Sequence, residues 1–549
     1  MTIFVAKMRF LWLDINSSYS HSSLAFPALE AQLSDNQRER SCWNIISATL
    51  NSDKNVITAE AASLKPDFIF STLWLFNSDY SLSVLKRIKS LLPHVSIILG
   101  GPEFLGENRR FLETNTEVSA VFRGEAEEMF PQFIQSILDN NPDFSIPGFC
   151  YLNNKREYKD NRHSSVGDFL SLVPAEYSVF FRFDKPFIQF ETSRGCFNTC
   201  AFCVSGSNCS RVQFLPPEII RQRLIFLKSK GVKDVRILDR TFNGNEKHAK
   251  ALLKIFSDFS AGMKFHLEIH PAIIKEELRE ILKSMPADLL HVEAGIQSLD
   301  DTVLIKSGRT GNSYNSMEGL KFLLSLKLFE VHADLIAGLP GYSFNRLLED
   351  YINLAGTAPD EIQTELLKVL PGTEFRRNAS ELGLKYSPVP PYEVLQTDCM
   401  TPQEMILAIR LSRISDIWYN DKRWQDAFRI LITKYENFLS RFIDYLSDVS
   451  LALIKPERAG SILFDFCSCF FPDGKEIVSH AWIVSGLALN KKPAGSIRKW
   501  EIGFSGLINP FDNITDEYSY YYLKLCNGII WYSFRKGLKN LPPENTIIK

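Results

Sequence analysis

Three cysteines lie within eight residues of one another, with the spacing Cys196-x3-Cys200-x2-Cys203. Three thiolates this close can hold one metal cluster, and a 4Fe–4S cluster takes four ligands, so one iron would keep an open position. A structural zinc site would need a fourth Cys or His nearby, and the only cysteine between this loop and Cys399 is Cys209. Three buried free thiols at this spacing are improbable. The pattern favours a 4Fe–4S cluster whose metal ligands come from this segment, called here the cysteine loop (191–203).

The overall composition is that of an ordinary globular protein. Ten cysteines in 549 residues are too few for a disulfide framework, which predicts a reducing compartment and a cytoplasmic location. The formal net charge of −2 gives no electrostatic reason to expect nucleic acid or an anionic membrane as a partner. The apolar run from Phe10 ends at Asp14 and is too short for a signal peptide. No run of about eighteen apolar residues occurs, so no membrane span is predicted.

Short apolar runs alternate with amphipathic segments over residues 1–140. This predicts an α/β domain with a doubly wound parallel sheet of the flavodoxin type, with strands near 9–13, 68–73, 95–99 and 118–122. Ligands of such sheets bind beyond the carboxyl ends of the strands. The turns at those ends contain Asp14 to Ser18, Ser71-Thr72, Gly100-Gly101-Pro102 and Gly124-Glu125. Residues 141–184, with two prolines and a polar run, are predicted to be an irregular linker.

A second series of strands and helices occupies residues 185–390. Its predicted strands are 187–191, 235–238, 265–269, 289–293, 330–335 and 362–369, which could form a partial (β/α)6 barrel. The cysteine loop follows the first of these strands, where such barrels place their chemistry. Residues 391–549 show longer helical patterns and predict a mainly helical C-terminal region of unknown role. Cys467 and Cys469 are better explained as core residues than as an auxiliary metal site.

The cysteine loop resembles the signature of radical S-adenosylmethionine (radical SAM) enzymes, including the aromatic Phe202 before its last cysteine. The resemblance covers about 186–373, because three later segments match in the same order. These segments are Glu293-Ala-Gly-Ile-Gln297-Ser298, the run from Asp334 to Gly341, and Leu370-Pro-Gly-Thr373. The resemblance implies that SAM is bound by Phe202, Glu293, Gln297, Ser298, Gly338 and Pro340.

One segment departs from the family pattern. Many members carry Gly-Gly-Glu after the second barrel strand, where it holds the methionine amine of SAM. This chain has Leu238-Asp239-Arg240-Thr241-Phe242-Asn243 at that position. Asp239 and Asn243 could take over the amine contacts, or Asp239 and Arg240 could form a structural ion pair.

The predicted N-terminal sheet ahead of such a barrel resembles the cobalamin-binding domain of the class that uses both cofactors. The matching residues are Ser71-Thr72-Leu73, Gly100-Gly101-Pro102 and Gly124-Glu125-Ala126-Glu127, although plain turns of a flavodoxin-like domain remain an alternative. Asn16 stands where a cobalt-ligating histidine is expected, and the nearby His21 is better explained as a solvated residue. The resemblance therefore implies cobalamin bound without a protein imidazole. Its contacts would be Asn16, Ser71, Gly100, Gly101, Gly124 and Glu125.

The two resemblances together imply an enzyme. A reductant such as flavodoxin or ferredoxin would supply an electron to the cluster, and SAM would be cleaved to methionine and a 5′-deoxyadenosyl radical. Cobalamin would most simply deliver a methyl group to an unactivated centre of a small molecule or peptide. Rearrangement or ring closure without methyl transfer is the alternative reaction. A cobalamin- or redox-sensing protein with a structural cluster is a third hypothesis. Pro390-Pro391-Tyr392 resembles a bacterial subgroup with an uncharacterised C-terminal extension.

Overall fold

The computed structural model describes residues 7–207, 212–501, 507–512, 514–525, 528–537 and 541–549. Cys209, the one potential fourth zinc ligand near the cysteine loop, lies outside the described residues. The chain divides into two compact units. Unit 1 comprises Met1–Glu330, Gly338–Gly341 and Leu367–Thr401, and unit 2 comprises Val331–Ala337, Tyr342–Leu366 and Pro402–Lys549.

Unit 1 begins with a seven-stranded sheet. Its strands are β1 (Met8–Asn16), β2 (Ser41–Thr49), β3 (Phe68–Thr72), β4 (Ser96–Gly100), β5 (Ala120–Phe122), β6 (Phe149–Leu152) and β7 (Tyr158–Asp160), in the spatial order β2-β1-β3-β4-β5-β6-β7. Strands β1 to β5 are parallel, and their order is the flavodoxin-like one. The helices between them are α1 (Ala25–Glu30), α2 (Asp35–Arg40), α3 (Lys54–Leu64), α4 (Ser78–Leu91), α5 (Arg109–Thr114) and α6 (Phe130–Leu138).

The two faces of this sheet have different cores, which is why the strands read as continuous apolar runs. Leu11 and Leu13 of β1 face an aliphatic cluster that includes residues of α3 and α4. Phe10 and Trp12, which alternate with them, face an aromatic cluster that includes Phe26 of α1 and residues of α6. The prediction of a doubly wound parallel sheet is confirmed.

The prediction of an irregular linker over 141–184 was wrong in part. Strands β6 and β7 lie in this segment and extend the sheet by antiparallel pairing beyond β5. They are four and three residues long, too short to show a strand period, and they acquire their structure by pairing with the sheet edge. After β7 the segment continues with single helical turns at Phe169–Ser171 and Ala175–Tyr177.

The second α/β series supplies the predicted parallel strands. Within unit 1 the strands β8 (Ile188–Phe190), β11 (Asp234–Ile237), β12 (Lys264–Ile269) and β13 (Leu290–Gln297) pair in that spatial order. The short strands β9 (Ser193–Arg194) and β10 (Gln213–Phe214) form a separate ladder. The helices of this part are α7 (Val204–Ser207), α8 (Pro217–Ser229), α9 (Glu246–Ser257), α10 (Glu276–Lys283), α11 (Asp301–Lys306) and α12 (Ser313–Leu326). In unit 2, β14 (Glu330–Ala337) pairs in parallel with β15 (Glu361–Leu366) around α13 (Phe344–Thr357).

The last segment of unit 1 contains α14 (Glu374–Arg377) and an antiparallel pair of strands, β16 (Lys385–Tyr386) and β17 (Val394–Gln396). Unit 2 continues with α15 (Pro402–Ile414), a π-helical turn at Ser415–Tyr419, α16 (Gln425–Lys434), α17 (Phe438–Tyr445), α18 (Pro456–Phe470) and α19 (Lys475–Val484). Its final part is a sheet of β18 (Arg498–Trp500), β19 (Tyr518–Leu525), β20 (Gly528–Arg535) and β21 (Asn545–Ile548). The mainly helical character of the C-terminal region is confirmed, with this sheet as an addition.

Two further observations concern predicted features of the chain. Cys467 is fully buried in α18, where burial raises the pKa of its thiol to about 12, whereas Cys469 is exposed. The two thiols therefore do not share an environment, as expected for ordinary helix residues. Among the described residues, no helix is both long enough and apolar enough to span a membrane.

Candidate active site

The cysteine loop is held in place by hydrogen bonds from several elements. The backbone N–H groups of Thr192 and Ser193 donate to Asp239 Oδ1 at 2.8 and 2.9 Å. Further along, the Ala201 N–H donates to the Ser307 carbonyl, and the Phe375 N–H donates to the Ala201 carbonyl, each at 2.9 Å. The loop is thus fixed at its start by the segment after β11 and at its end by the ends of two other elements.

The three cysteine thiols lie close enough to influence one another. Burial raises the pKa of Cys200, the charge of Arg309 lowers it, and Cys203 and Cys196 raise it further. Cys196 and Cys200 are buried, Cys203 is partly exposed, and the Asn198 N–H donates to Cys196 Sγ at 3.4 Å. Three converging thiols with an N–H···S contact fit the ligand set of a 4Fe–4S cluster with one open iron.

Asp239 and Asn243, predicted to contact the SAM amine, make structural hydrogen bonds. Asp239 is buried, and besides the two N–H groups its carboxylate accepts a bond from the Thr192 hydroxyl. Asn243 donates from Nδ2 to the His270 carbonyl at 2.9 Å and accepts from the His270 N–H at 2.8 Å. Among the described residues, no ion pair joins Asp239 to Arg240. Contact of either residue with SAM stays a prediction.

Two buried acceptors at the ends of β12 and β13 have no hydrogen-bond partner among the residues that the structure describes. One is Gln297 Oε1, whose residue has the left-handed φ of +70° that side chains rarely adopt. His270 Nε2 lies 2.9 Å from the Thr310 carbonyl, which can only accept, so Nε2 carries the proton and the buried Nδ1 is an acceptor without a partner. Burial is also the main reason that the pKa of His270 falls to about 4. Such atoms fit a ligand that offers N–H or O–H donors. His270 was not predicted from the sequence.

The remaining predicted SAM contacts are Glu293, Ser298, Phe202, Gly338 and Pro340, whose own surroundings are as follows. Glu293 Oε1 on β13 lies 3.3 Å from His266 Nε2. Ser298 is buried and its hydroxyl accepts from the Asp300 N–H at 3.0 Å. The Phe202 ring packs at a tilt 6.2 Å from that of Phe375. Gly338 has a φ of +85° and starts the turn that contains Pro340.

The carboxyl ends of β3, β4 and β5 form the predicted cobalamin cradle. At Gly100 an added Cβ would meet no atom within 4 Å, so the backbone there faces open space. At Gly101, with a φ of +104°, it would lie 2.6 Å from the Leu73 carbonyl oxygen, and at Gly124, with a φ of +105°, it would collide with the Ser164 carbonyl. Only glycine satisfies the last two positions.

The other three predicted cobalamin contacts are each held by the protein. Ser71 is buried and its hydroxyl donates to the Leu13 carbonyl at 2.8 Å. Glu125 accepts from the Val166 N–H at 2.6 Å, and burial raises the pKa of its carboxyl group. Asn16 Nδ2 donates to Asp14 Oδ2 at 2.8 Å. Contact of Asn16 with cobalamin stays a prediction.

A cavity of about 440 Å³ joins the cradle to the cysteine loop within unit 1. The cradle side contributes five of the predicted contacts, Ser71, Gly100, Gly101, Gly124 and Glu125. The barrel side contributes residues on both sides of the cysteines, namely Arg194, Gly195, Val204 and Ser205. Aromatic side chains of the N-terminal sheet and of α6 also line the cavity, including Trp12, Phe70, Phe122 and Phe133. Aromatic walls beside the open backbone at Gly100 fit a large planar ligand.

A second cavity of about 770 Å³ adjoins the first and shares several lining residues with it. It is lined by Asn16, by the loop before α1, by residues 169–177 and by Leu238 and Arg240 of the barrel. Trp74, which follows β3, lines both cavities. Neither Trp74 nor Arg240 was predicted as a cavity residue, because no motif marks them.

Arg194 links the cysteine loop to the cradle. Its guanidinium lies 2.6 Å from Glu191, 2.8 Å from Glu127 and 3.8 Å from Glu125, and it stacks 4.6 Å above the Phe169 ring centroid. These carboxylates come from both sides of the first cavity. Arg194 was also missed in the sequence, where a lone arginine beside a glycine gives no signal.

Comparison with known protein families agrees with this architecture. The B12 binding domain family matches residues 14–134, the Radical SAM superfamily matches residues 190–352, and a family described as a protein of unknown function (DUF4080) matches residues 380–467. The order of a B12 binding domain and a radical SAM domain places the chain among the cobalamin-dependent radical SAM enzymes. Its cofactors are accordingly a 4Fe–4S cluster, SAM and cobalamin.

Two of the similar characterised proteins are methyltransferases. The cobalamin-dependent radical SAM methyltransferase TokK of Streptomyces tokunonensis is 22% identical over 294 residues, and the 2-(S-pantetheinyl)-carbapenam-3-carboxylate methyltransferase of Streptantibioticus cattleyicolor is 23% identical over 291. Each alignment covers 50% of this chain and 43% of the relative. The alignments thus span less than half of the length of each of these two relatives.

Solved structures share the fold. The radical SAM methyltransferase TsrM from Kitasatospora setae, with tryptophan substrate and a SAM analogue bound, superposes with a TM-score of 0.56 at 15% identity, over 73% of this chain and 81% of TsrM. The enzyme OxsB, with aqua-cobalamin and SAM bound, superposes with a TM-score of 0.58 at 14% identity, over 87% of this chain and 79% of OxsB. At these identities the likeness shows the fold alone.

Proposed function

We propose that the protein is a methyltransferase that uses a 4Fe–4S cluster, SAM and cobalamin to methylate an unactivated centre of a small molecule or peptide. The observation that carries this proposal is the shared first cavity. The Gly100–Gly101 turn lines one side of it, and the residues that flank Cys196 and Cys203 line the other. A cofactor in the cradle would therefore face the cluster loop directly.

The chain's own residues would hold the three groups as follows. Cys196, Cys200 and Cys203 would bind three irons of the cluster, and the acceptors His270 Nδ1 and Gln297 Oε1 would receive hydrogen bonds from SAM. The glycine turns of the cradle would let the corrin approach the backbone, with the aromatic walls of the cavity beside it. When bound, the cluster and SAM supply a hydrogen-abstracting radical and cobalamin carries the methyl group.

The contribution of the protein is to position these groups and to keep water out. Arg194 ties the cysteine loop to Glu127 of the cradle, which fixes the distance between the two cofactor sites. The second cavity, of about 770 Å³, is of a size that suits a small molecule or a short peptide segment. Substrate held there would lie beside both sites, and this proximity accounts for much of the catalysis in such reactions.

Two further parts of the proposal concern the cellular context. The cluster needs an electron for each cleavage of SAM, and we expect a flavodoxin or ferredoxin to supply it. The three thiols must stay reduced to bind iron, which fits a cytoplasmic location.

The test uses protein reconstituted anaerobically with iron, sulfide and hydroxocobalamin, incubated with dithionite, a fraction of small molecules and methyl-labelled SAM. We expect 5′-deoxyadenosine and label in a product, and we expect Cys200→Ala to abolish both. Cys469→Ala, which changes an exposed cysteine of α18, is the matched control and should retain both. Deoxyadenosine without transferred label would support rearrangement or ring closure instead. Absence of deoxyadenosine from the intact protein would contradict the enzymatic role.

A further inference from the structure

Strands β12 and β13 present titratable side chains on one face. Along both strands, buried apolar residues alternate with partly exposed ones, and the apolar set packs against the helices. The other face therefore points into the barrel interior. It carries His266 and Glu268 on β12, and His291 and Glu293 on β13, where His266 pairs in register with His291 and Glu268 with Glu293. Two carboxyl groups thus lie side by side within the barrel.

Glu268 differs from the other carboxyl groups near the SAM site. Asp239 already accepts three hydrogen bonds within the protein, and Glu293 contacts His266. Within the described part of the chain, the Glu268 carboxyl group makes no hydrogen bond and no ion pair. The register of β11 and β12 pairs Arg236 with His266, two residues before Glu268. Arg240, whose charge acts on Glu268, lines both cavities, whereas Glu268 itself lies outside their linings.

The surroundings of Glu268 leave its charge incompletely compensated. The charged and titratable groups that face it are Arg240 and Asp239 after β11, His266 on its own strand and Glu293 on β13. Burial is the largest effect and raises the pKa of Glu268 to about 7, with Glu293 and Asp239 raising it and Arg240 and His266 lowering it. A second cation would stabilise the ionised carboxylate.

We propose that Glu268 is the residue that binds the ammonium group of SAM, with Glu293 as its neighbouring carboxylate. This inference rests on the proposed function, which requires SAM in this barrel. It assigns the amine contact to β12 instead of the segment after β11, where both predicted partners, Asp239 and Asn243, are committed to the protein. A primary ammonium has three N–H donors, so Glu268 and the adjacent Glu293, its register partner on β13, can both accept from it.

The proposal makes the affinity for SAM depend on pH in a defined way. Below about pH 7 Glu268 must lose a proton before it can pair with the ammonium, so affinity should rise about fivefold from pH 6 to pH 7 as the ionised fraction grows. Above about pH 8 an α-amino group loses its own proton, and affinity should fall again. At pH 6 the binding of SAM should release protons into the buffer.

The experiment is isothermal titration of SAM into the reconstituted, unreduced protein, which binds without turning over, in two buffers of different ionisation enthalpy. Glu268→Gln keeps the size of the side chain, and it should weaken SAM about 10- to 100-fold at pH 7.5 and abolish the rise between pH 6 and pH 7. Glu293→Gln should move that rise to lower pH, because it removes a like charge. Glu276→Gln, the same change on the exposed surface of α10, should leave binding unchanged. The probe 5′-methylthioadenosine, which lacks the ammonium, should bind the intact protein and Glu268→Gln equally.

Equal SAM affinity in the intact protein and Glu268→Gln at both pH values would overturn the assignment and leave the proposed function in place. If Glu268→Gln weakened the binding of methylthioadenosine as much as that of SAM, the assignment would also be overturned, because Glu268 would then act through the shape of the site. Proton release by the intact protein alone provides a test that does not depend on the folding of a variant, and its absence at pH 6 would contradict the proposal. Failure of the intact protein to bind SAM would overturn both this inference and the proposed function.

Discussion

Replacement of Arg194 by alanine should destabilise unit 1 far more than the loss of an ordinary surface ion pair. The Arg194 side chain is 15% exposed, and its 2.8 Å partner Glu127 is 12% exposed. Glu191 contacts the same guanidinium at 2.6 Å, and Glu125 lies 3.8 Å away. Removal of the arginine would leave the largely buried Glu127 and the partly exposed Glu191 and Glu125 without their cation.

The expected cost follows from that burial. Breaking a buried ion pair by removal of one partner costs about 3–5 kcal/mol, because the remaining charge loses both water and its counterion. Protonation of one carboxyl group would recover part of this cost, and Glu125 is the best placed to take a proton because burial already raises its pKa. We therefore expect Arg194→Ala to lower the free energy of unfolding by about 3 kcal/mol at pH 7, and by less at pH 5.

Arg182→Ala is the matched control. Arg182 contacts Asp184 with two hydrogen bonds of 2.7 Å, a geometry as good as that of Arg194, but the two side chains are 46% and 54% exposed. Exposed pairs contribute about 0–1 kcal/mol. Arg194→Lys should give an intermediate loss, because lysine keeps the charge but cannot contact several carboxylates with one planar group.

The assay is denaturant unfolding of the three variants without cofactors, followed by the fluorescence of tryptophan and by circular dichroism. Comparable losses in Arg194→Ala and Arg182→Ala would refute the argument that burial makes the Arg194 cluster strong. A larger loss at pH 5 than at pH 7 in Arg194→Ala would also refute it, because protonation should relieve the unpaired charges.

Three other predictions concern the cradle, the turn before the cysteines and the barrel interior. Gly101→Ala should unfold the cradle locally and abolish cobalamin binding, because its Cβ would press on the Leu73 carbonyl. Gly100→Ala should leave the melting temperature unchanged and weaken only the binding of cobalamin, as measured by optical titration. Asp239→Asn should cost about 1–2 kcal/mol and lower the iron content after reconstitution, because the amide nitrogen cannot accept the Thr192 hydroxyl bond; unaltered iron content would contradict this. The pKa of Glu268 is about 7 in the folded protein and 4.5 as the ordinary value, so the protonated carboxyl group favours the folded state. This contribution to stability is complete below about pH 4.5 and is lost as the pH rises towards 7. In denaturant unfolding, the intact protein should therefore lose up to about 3 kcal/mol over this range relative to Glu268→Gln.

The sequence was sufficient for features that are encoded locally. The spacing of Cys196, Cys200 and Cys203 indicates a three-ligand cluster before any fold is known, since ligand geometry limits how far apart the thiols can be. The strand–helix alternation likewise indicates parallel sheets in both α/β parts. The glycines of the cradle were informative because two of them occupy backbone conformations that exclude other residues.

The remaining features depend on contacts between distant segments. Strands β6 and β7 are ordered by the sheet edge, and no pattern within three or four residues could predict them. Asp239 accepts hydrogen bonds from Thr192 and Ser193, which lie 47 and 46 residues earlier in the chain, so only the tertiary structure reveals them. Arg194 and Trp74 gain their positions from the approach of the N-terminal sheet to the barrel, so their sequence neighbours carry no sign of it.

The most direct test of the account is electron paramagnetic resonance of the anaerobically reconstituted protein after reduction by dithionite, recorded with and without SAM. We predict the signal of a reduced 4Fe–4S cluster that changes when SAM is added, and its loss in Cys200→Ala. A sample that contains zinc in place of iron, or a cluster signal that SAM leaves unchanged, would contradict the claim that three cysteines hold a cluster with an iron open to SAM.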